Sequence, residues 1–307
     1  MTNAVPIATG WVSAVKNAVR RTPVHTAWRS IAFAAGAMRD RQLLEGVRTY
    51  CLFIGHARSG HSVIGALLDA HRQIVISDEL DALRYLRAGF TRGQLLYGSL
   101  EIARRQAANL RRKQGRGGKM YSYHVPHGWQ GQAEDLRVVG DSQAGWTTRR
   151  LSADPGLLER LRRRMAPSQV RFVHVVRNPY DNIATMMLRG GRTFDSAFAQ
   201  YAANCEAIVP LTERIGPERL LRVRHEGLVA DPRGTLAELC AFLGVEADEP
   251  YLAAASAQVY RSPARSRTEV EWRPDDDRRV RELIGRFDFL AGYAREDEPA
   301  GGAPSSG

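Results

Sequence analysis

The chain alternates short, largely apolar runs with longer segments in which apolar residues recur every three or four positions. The runs at 49–55, 73–77, 136–140 and 170–176 predict buried strands, and another strand is expected within 219–228. The segments between these runs have helical spacing. Strands that alternate with helices in this way predict a parallel sheet covered by helices on both faces, which is a three-layer α/β fold.

Helices are predicted wherever the apolar spacing is close to one helical turn. They are expected over 81–113, 155–165, 195–215 and 275–287, directly after Arg177-Asn-Pro, and from Pro232 to the stop signal at Gly244.

Residues 11–42 alternate apolar and basic positions, which predicts one or two amphipathic helices. Packing of these helices on the core is one interpretation, and contact with a membrane surface is the alternative. Three regions are therefore expected: an N-terminal helical segment over 1–45, one domain over 46–295, and a disordered tail over 296–307. A Gly-rich basic loop at 111–119 is expected to be mobile.

The formal net charge of +11 favours an anionic ligand or surface, and charge alone leaves nucleic acid and anionic lipid open. The sequence has no interleaved aromatic and basic motif of the kind that recognises RNA or single strands, so nucleic acid is not expected as a partner. The lysines are Lys16, Lys113 and Lys119, and all other basic residues apart from histidines are arginines. A mechanism that requires a lysine therefore has three candidates.

The three cysteines are scattered in apolar contexts, which predicts buried free thiols and a reducing compartment. Their spacing does not match a zinc site, and no metal is expected. The longest apolar run near the N-terminus, at 31–38, is much shorter than the ~20 residues that span a bilayer. The protein is therefore predicted to be cytoplasmic, with peripheral membrane contact left open and the oligomeric state not predicted.

Residues 55–62 read Gly-His-Ala-Arg-Ser-Gly-His-Ser, which matches the phosphate-loop template G-x-x-x-x-G-K-[ST] except that His61 replaces the lysine. The segment lies between a predicted strand and a predicted helix, which is the context of a phosphate loop. Backbone N–H groups and the helix dipole attract an anion whatever side chain stands at position 61. Because Arg58 offers a guanidinium suited to oxyanions, the loop fits a ligand other than a magnesium-bound triphosphate better.

Two more predicted strands end in charged residues: Asp78 and Glu79 follow one, and Arg177 follows the other. Ligands on parallel sheets bind at the carboxyl ends of the strands, so these residues join the loop in one candidate site. Phosphoryl transfer or nucleotide hydrolysis is an alternative, since an acid at the end of an apolar strand can hold Mg²⁺.

Three segments of the chain resemble, in the same order, motifs of sulfotransferases that use 3′-phosphoadenosine 5′-phosphosulfate (PAPS). "HARSGHSVIGALLDAH" from residue 56 resembles their 5′-phosphosulfate loop, and "VHVVRNPYDNIATMML" from residue 173 resembles their 3′-phosphate motif. "RHEGLVADPRGTLAELCAFLGV" from residue 224 resembles a third family segment. The resemblance spans 50–245. It implies a fold like that of P-loop NTPases and metal-independent transfer of a sulfo group to a hydroxyl or amine.

The resemblance also implies roles for individual residues. PAPS is expected to contact Arg58, Ser59, Gly60, His61 and Ser62 at its 5′ end, Arg177 and Thr185 at its 3′-phosphate, and His225, Ser262, Arg265 and Arg267 elsewhere. Glu79 lies where the branch that includes tyrosylprotein sulfotransferases has its catalytic base. His61 is the alternative base, and His124 and His127 are further candidates.

Three positions depart from the family pattern. His61 stands where the family has Thr, His225 where it has Tyr, and Ser142 where many bacterial members have a Lys that could stabilise the leaving group. Arg149 or Arg150 could replace that lysine. Because these substitutions surround one site, a catalytically impaired PAPS-binding protein is a second alternative.

The acceptor is not fixed by the fold, and small molecules, carbohydrates and lipids all remain candidates. Residues 84–135 lie between the motifs and match none of them, so this region is expected to line the acceptor site. Its Tyr-, His- and Trp-rich stretch at 121–129 is expected to form the wall.

Overall fold

A computed structural model describes residues 22–114, 123–260, 262 and 265–296. These residues form one parallel sheet of five strands in the order β2-β3-β1-β4-β5. The strands are β1 Thr49–Gly55, β2 Ile74–Ser77, β3 Val138–Asp141, β4 Gln169–Val176 and β5 Leu220–Arg224. The predicted parallel α/β architecture is confirmed.

Helices cover the sheet on both faces, as expected for strands that are apolar on both sides. Their bounds are α1 Pro23–Arg39, α2 Arg41–Glu45, α3 His61–Leu68, α4 Ala82–Arg87, α5 Arg92–Gln114, α6 Ala144–Ala153, α7 Gly156–Met165, α8 Pro179–Gly190, α9 Phe194–Ile215, α10 His225–Ala230, α11 Pro232–Leu243, α12 Glu249–Ser256 and α13 Pro274–Arg286. Short 3₁₀ turns lie at Pro217–Arg219, Ser266–Glu269 and Asp288–Leu290.

The strand order places the candidate site. After β1 the chain crosses to β2 and returns to β3 on one side of β1, and then continues to β4 on its other side. The helices that follow β1 and β4 therefore diverge, which opens a crevice at the carboxyl ends of these two strands. Gly55 at the end of β1 is in register with Val175 of β4, so the phosphate loop begins beside Arg177.

One helix was predicted over 81–113, and this prediction is wrong in detail because the chain forms α4 and α5 instead. The break lies at Gly89, whose φ of +87° ends the first helix. Thr91 and Gln94 then start the second with reciprocal bonds, in which Gln94 Oε1 accepts from the Thr91 N–H (2.7 Å) and Thr91 Oγ1 accepts from the Gln94 N–H (3.3 Å). This is the capping-box arrangement with Gln at its third helical position.

The N-terminal helices pack on the core, which was one of the two interpretations of their sequence pattern. Phe33 of α1 is fully buried and contacts the rings of Tyr85, Phe90 and Tyr97. The part of the predicted segment before residue 22, most of the basic loop at 111–119 and the tail from residue 297 lie outside the described residues. The division into three regions stays a prediction. Of the helices that are described, none is both long and apolar enough to cross a bilayer.

Two histidines buried behind the phosphate loop predict how stability depends on pH. Burial lowers the pKa of His56 to about 4, although its ring bonds the Tyr201 carbonyl, and burial lowers the pKa of His174 well below its ordinary value. Unfolding returns the pKa of each histidine to about 6.5. Below that pH the unfolded chain therefore binds protons that the folded chain does not bind. Each histidine therefore contributes stability that is complete above pH 6.5 and falls as the pH decreases.

We expect His174→Leu to reduce the slope of the free energy of unfolding against pH between pH 6.5 and pH 5. The reduction should be up to ~1.4 kcal/mol per pH unit, which is the contribution of one proton. Denaturant titrations of both proteins at several pH values measure the slopes. The comparison of slopes is independent of any constant loss of packing in the variant. Equal slopes would show that His174 titrates normally in the folded protein.

Candidate functional site

A cavity of about 490 Å³ opens at the carboxyl ends of β1 and β4. Its polar lining comes from the phosphate loop, the turn after β2, the turn after β4, α8 and the C-terminal loop. The polar and glycine positions are Arg58, Gly60, His61, Ser62, Glu79, Tyr123, Arg177, Thr185, Arg189, His225, Gln258, Tyr260, Ser262 and Ser266. The structure thus brings together most of the site residues predicted from the sequence, from separate segments of the chain.

The phosphate loop has three residues with positive φ, Gly55 (+123°), Arg58 (+67°) and Gly60 (+99°). Gly60 is the N-cap of α3 and no side chain caps the helix, so the helix begins at the cavity with its N–H groups. An α-helix leaves its first N–H groups without intrahelical partners, and its dipole favours an anion there. The loop therefore offers the backbone part of an anion site, whatever stands at position 61.

Gly60 is required for two reasons, a left-handed backbone and a close neighbour. A Cβ atom at this position would lie 2.3 Å from Cδ2 of His225, which is too close for any contact. Gly89 has a similar φ of +87°, but a Cβ atom there would meet nothing within 4 Å, so it is a matched control.

We expect Gly60→Ala to displace the loop or His225 and to reduce anion binding at least about tenfold, beyond the ~1 kcal/mol of stability that a left-handed alanine costs. Gly89→Ala should show the loss of stability alone. Thermal unfolding with and without adenosine 3′,5′-bisphosphate separates the two effects. Equal ligand responses in the two variants would contradict the contact with His225.

Arg177 links the two sides of the cavity. Its side chain is buried, and Nη1 donates to the carbonyl oxygen of Arg58 (3.2 Å) and to Oγ1 of Thr185 (3.3 Å). Thr185 Oγ1 also lies 3.0 Å from Oγ of Ser266. The predicted pairing of Arg177 with the hydroxyl eight residues later is therefore present, because α8 starts two residues after Arg177 and turns Thr185 back towards it.

Glu226 was not among the residues predicted, yet it holds the turn that carries Arg177. Its Oε1 accepts the N–H of Asn178 (2.9 Å), and its Oε2 accepts the hydroxyl of Tyr293 (2.8 Å). Asn178 in turn caps α8 by accepting the N–H of Tyr180 (3.0 Å). The family segment around His225 contained this acid, but only the tertiary structure shows what it binds.

His225 lines the cavity beside Gly60. Its pKa is lowered by burial and, next, by the charge of Arg177, so the ring is neutral near pH 7. Its Nδ1 is buried and has no hydrogen-bond partner among the described residues. The ring edge that lies next to Gly60 carries Cδ2 and Nε2.

Glu79 lines the cavity from a turn with two left-handed residues, Glu79 and Asp81, both with φ of +62°. The carboxylate of Asp141 at the end of β3 accepts the N–H groups of Leu80 (3.1 Å) and Ala82 (3.0 Å). Asp81 is itself paired with Arg150 (2.5 Å). Burial raises the pKa of Asp141 to about 7. The neighbouring strand thus fixes the unusual backbone that turns Glu79 towards the cavity.

Ser142 stands where many bacterial family members have lysine, and here it binds Asp78. Its Oγ donates to Oδ1 of Asp78 (2.9 Å), and Oγ of Ser62 donates to the same oxygen (3.2 Å). The sequence predicted that the Ser62 hydroxyl would face the ligand. Ser62 does line the cavity, but in this structure its hydrogen bond goes to Asp78.

The arginines proposed to replace that lysine lie elsewhere. Arg150 pairs with Asp81, Arg149 lies over the ring of Trp146 (5.3 Å), and neither of these two described side chains lines the cavity. The additional cation in the wall is Arg189 of α8, one helical turn after Thr185. No motif marked it in the sequence; the helical spacing from Thr185 was the signal that could have found it.

His61, the alternative base, lines the cavity with its Nδ1 3.4 Å from Oγ of Ser59. Burial lowers its pKa, the charge of Asp78 acts in the opposite direction, and the charge of Arg58 lowers it further. The ring is therefore neutral near pH 7 and able to accept a proton. Ser59 itself is fully buried behind the loop and is absent from the described lining.

Arg265 and Arg267, the arginines of the C-terminal loop that were predicted to bind PAPS, do not reach the described lining, although Ser262 and Ser266 from the same loop do. Arg267 is buried and forms an ion pair with Asp181, whose Oδ1 also accepts the Arg267 N–H (2.9 Å). Arg265 is exposed. These contacts tie the loop to α8, so Arg267 positions the loop, and its predicted contact with PAPS stays a prediction.

The described lining also excludes His124 and His127, although Tyr123 from the same stretch takes part. The remaining wall is apolar and was not predicted. It consists of Ala57, Val63, Leu67, Leu228, Val229 and Val259. In the described part of the chain, no three His, Cys, Asp or Glu side chains are grouped so that they could hold a metal ion.

Comparisons with known proteins agree with this architecture. A model of the sulfotransferase family matches residues 52–249, which is more than half of the 307 residues. No curated protein matches the sequence at a significant level. The sulfotransferase domain from the curacin biosynthetic pathway is similar in structure, with 16% identity, a TM-score of 0.50, and coverage of 78% of this chain and 97% of that one.

Two further solved structures are similar at lower scores. The sulfotransferase domain from the Synechococcus PCC 7002 olefin synthase has 21% identity, a TM-score of 0.44, and coverage of 75% of this chain and 82% of that one. A sulfotransferase from Alicyclobacillus acidocaldarius has 20% identity, a TM-score of 0.41, and coverage of 78% and 92%. At these identities, the curacin-pathway domain supports the fold, and the family rests on the match of the family model.

Proposed function

The chain belongs to the sulfotransferase family, and on that premise we propose that it moves a sulfo group from PAPS to a hydroxyl or amine of an acceptor. One observation carries the choice of PAPS: Arg58 and Arg177 line the same cavity, and the Arg177 guanidinium bonds the Arg58 carbonyl (3.2 Å). A ligand that is anionic at both ends can therefore contact both arginines. The family assignment decides against phosphoryl transfer as the reaction.

In this proposal the two ends of the cavity bind the two anionic groups of PAPS. Arg58 and the first N–H groups of α3 bind the 5′-phosphosulfate. Arg177 and Thr185 bind the 3′-phosphate, and Arg189 adds a positive charge on the same side. His225 supports the fit through its place in the lining, where its ring lies next to Gly60 of the phosphate loop.

PAPS supplies an activated sulfo group, whose bond to the bridging oxygen breaks as a bond to the acceptor oxygen or nitrogen forms, and adenosine 3′,5′-bisphosphate leaves with the bridging oxygen. Glu79 takes the proton that the acceptor releases, as a general base. Two features support Glu79: it lines the cavity, and the Asp141 bonds to Leu80 and Ala82 fix its backbone. His61 is the second candidate for this proton, since its ring is neutral near pH 7. No residue is proposed as a metal ligand.

The acceptor is a small molecule, a carbohydrate or a lipid. The wall supports an acceptor with an apolar part, because Val63, Leu67 and Tyr123 border the cavity together with Glu79. The cytoplasmic location stays a prediction. A PAPS-binding protein without activity is the remaining alternative, and a turnover measurement distinguishes it.

We expect adenosine 3′,5′-bisphosphate to raise the temperature of unfolding, with a stabilisation of ~2.7 kcal/mol at a concentration one hundred times its Kd. The same concentration of 5′-AMP, which lacks the 3′-phosphate, should have a much smaller effect. ATP with Mg²⁺ serves as the third ligand, and a response to it alone would contradict the proposal. Incubation of the protein and PAPS with a metabolite extract, followed by mass spectrometry for a gained sulfo group, then tests activity and identifies the acceptor.

A further inference from the structure

The exposed face of α1 is apolar along its length. From Val24 to Met38, the exposed residues are Val24, Ala27, Trp28, Ile31, Ala35 and Met38. The four large side chains among them are 56–78% exposed. Their spacing of three, one, three, four and three residues places them on one face of the helix, about 21 Å long at 1.5 Å per residue. We call these six residues the outer stripe.

The inner face of the same helix is more polar than the outer stripe. Arg29 pairs with Glu101 (3.7 Å), Ser30 accepts from the side chain of Gln94 (2.9 Å), and Thr26 accepts from Arg84 (3.1 Å). A helix on the surface of a soluble protein normally turns its apolar side inwards and its polar side to water. In α1 the inner face buries Phe33, Gly36 and part of Ala37, but the other large apolar side chains lie on the exposed face. A contiguous exposed apolar face indicates an interaction surface.

The charge of this part of the chain indicates the kind of partner. Residues 1–39 contain no Asp or Glu, and the first acid is Asp40. The same residues contain five basic side chains, which are Lys16, Arg20, Arg21, Arg29 and Arg39. Basic residues without acids, next to an apolar helix face that contains a tryptophan, are the combination that binds the surface of an anionic bilayer.

We propose that the outer stripe of α1 docks the protein on the surface of an anionic lipid bilayer, with α1 lying in the plane of the interface. A second copy of the chain fits this surface less well. Lys16, Arg20 and Arg21 precede α1 in a stretch without acids, and two copies would bring these like charges together. In addition, a face of six residues is small beside the 20–30 residues per partner of a stable interface.

The test is flotation of the full-length protein with vesicles of phosphatidylcholine, with and without phosphatidylserine. We expect binding to the vesicles that contain phosphatidylserine, weaker binding to phosphatidylcholine alone, and a loss of binding as salt increases. Ile31→Gln and the double variant Trp28→Gln, Ile31→Gln should lower the partition coefficient, the double variant roughly tenfold or more. Val209→Gln, which replaces an exposed β-branched residue on α9, is the matched control and should bind like the parent protein.

The variants are expected to fold, because the substituted side chains are exposed, and circular dichroism checks that they do. Parental binding by the folded double variant would overturn the proposal. A parent protein that does not bind either kind of vesicle would also overturn it. Sedimentation equilibrium is run in parallel: a parent dimer that Trp28→Gln, Ile31→Gln converts to a monomer, without vesicle binding, would assign the outer stripe to a second copy instead.

Discussion

Arg177→Ala is expected to lower the affinity for adenosine 3′,5′-bisphosphate about a hundredfold and to leave the affinity for 5′-AMP nearly unchanged. Charge-assisted hydrogen bonds contribute ~1.5–3 kcal/mol each, and a guanidinium can make two of them to one phosphate. 5′-AMP lacks the phosphate that Arg177 is proposed to bind. Isothermal titration calorimetry of the parent protein and the variant with each nucleotide gives the four dissociation constants.

The four constants also separate a contact with the ligand from a structural role. Arg177 bonds the Arg58 carbonyl, so its removal could loosen the phosphate loop. Loosening would weaken both nucleotides equally, and that result would refute the assignment of Arg177 to the 3′-phosphate. Arg171→Ala is the matched control, because Arg171 lies on β4, the strand that Arg177 follows, and is bonded to Gln169 away from the cavity. Arg177→Lys keeps the charge and loses the bidentate contact, so its affinity for adenosine 3′,5′-bisphosphate should lie between those of the parent protein and Arg177→Ala.

Glu79→Gln is expected to reduce turnover by a factor of ~10²–10⁴, the usual contribution of a positioned general base, without a change in nucleotide affinity. Glutamine keeps the size of the side chain and removes the basic oxygen. Turnover with PAPS and the acceptor identified by mass spectrometry, together with titration of adenosine 3′,5′-bisphosphate, measures both quantities. Glu249→Gln is the matched control, since Glu249 pairs with Arg233 on the surface.

Retention of full turnover in Glu79→Gln would remove Glu79 from the mechanism, and a loss in His61→Ala would then assign the proton to the imidazole. Asp141 provides an independent check on how Glu79 is held. Its carboxylate fixes the turn through Leu80 and Ala82, so Asp141→Ala should lower turnover and leave nucleotide binding largely intact. Because no residue of the phosphate loop changes in Asp141→Ala, a parallel loss of binding would indicate general unfolding.

The sequence alone determined the fold class and the family. The central strands are largely apolar runs and the helices have apolar residues at a spacing close to 3.6, so the alternation of the two could be read directly. The loop at 55–62, Arg177 and Glu79 could be found because each follows such a strand, and parallel strands place their carboxyl ends on one edge. The match of the family model confirms the sulfotransferase assignment that these motifs predicted.

Tertiary structure decided which residues meet. Glu226 and the apolar wall carry no local signal, because the segments that they meet are far away along the chain, and only the helical spacing from Thr185 marks Arg189. Nothing in the sequence indicated that Arg150 and Arg267 form ion pairs with Asp81 and Asp181. The orientation of α1 was also decided by tertiary contacts. A pattern of spacing shows that a helix has two different faces, but only packing against a neighbour decides which face is turned inwards.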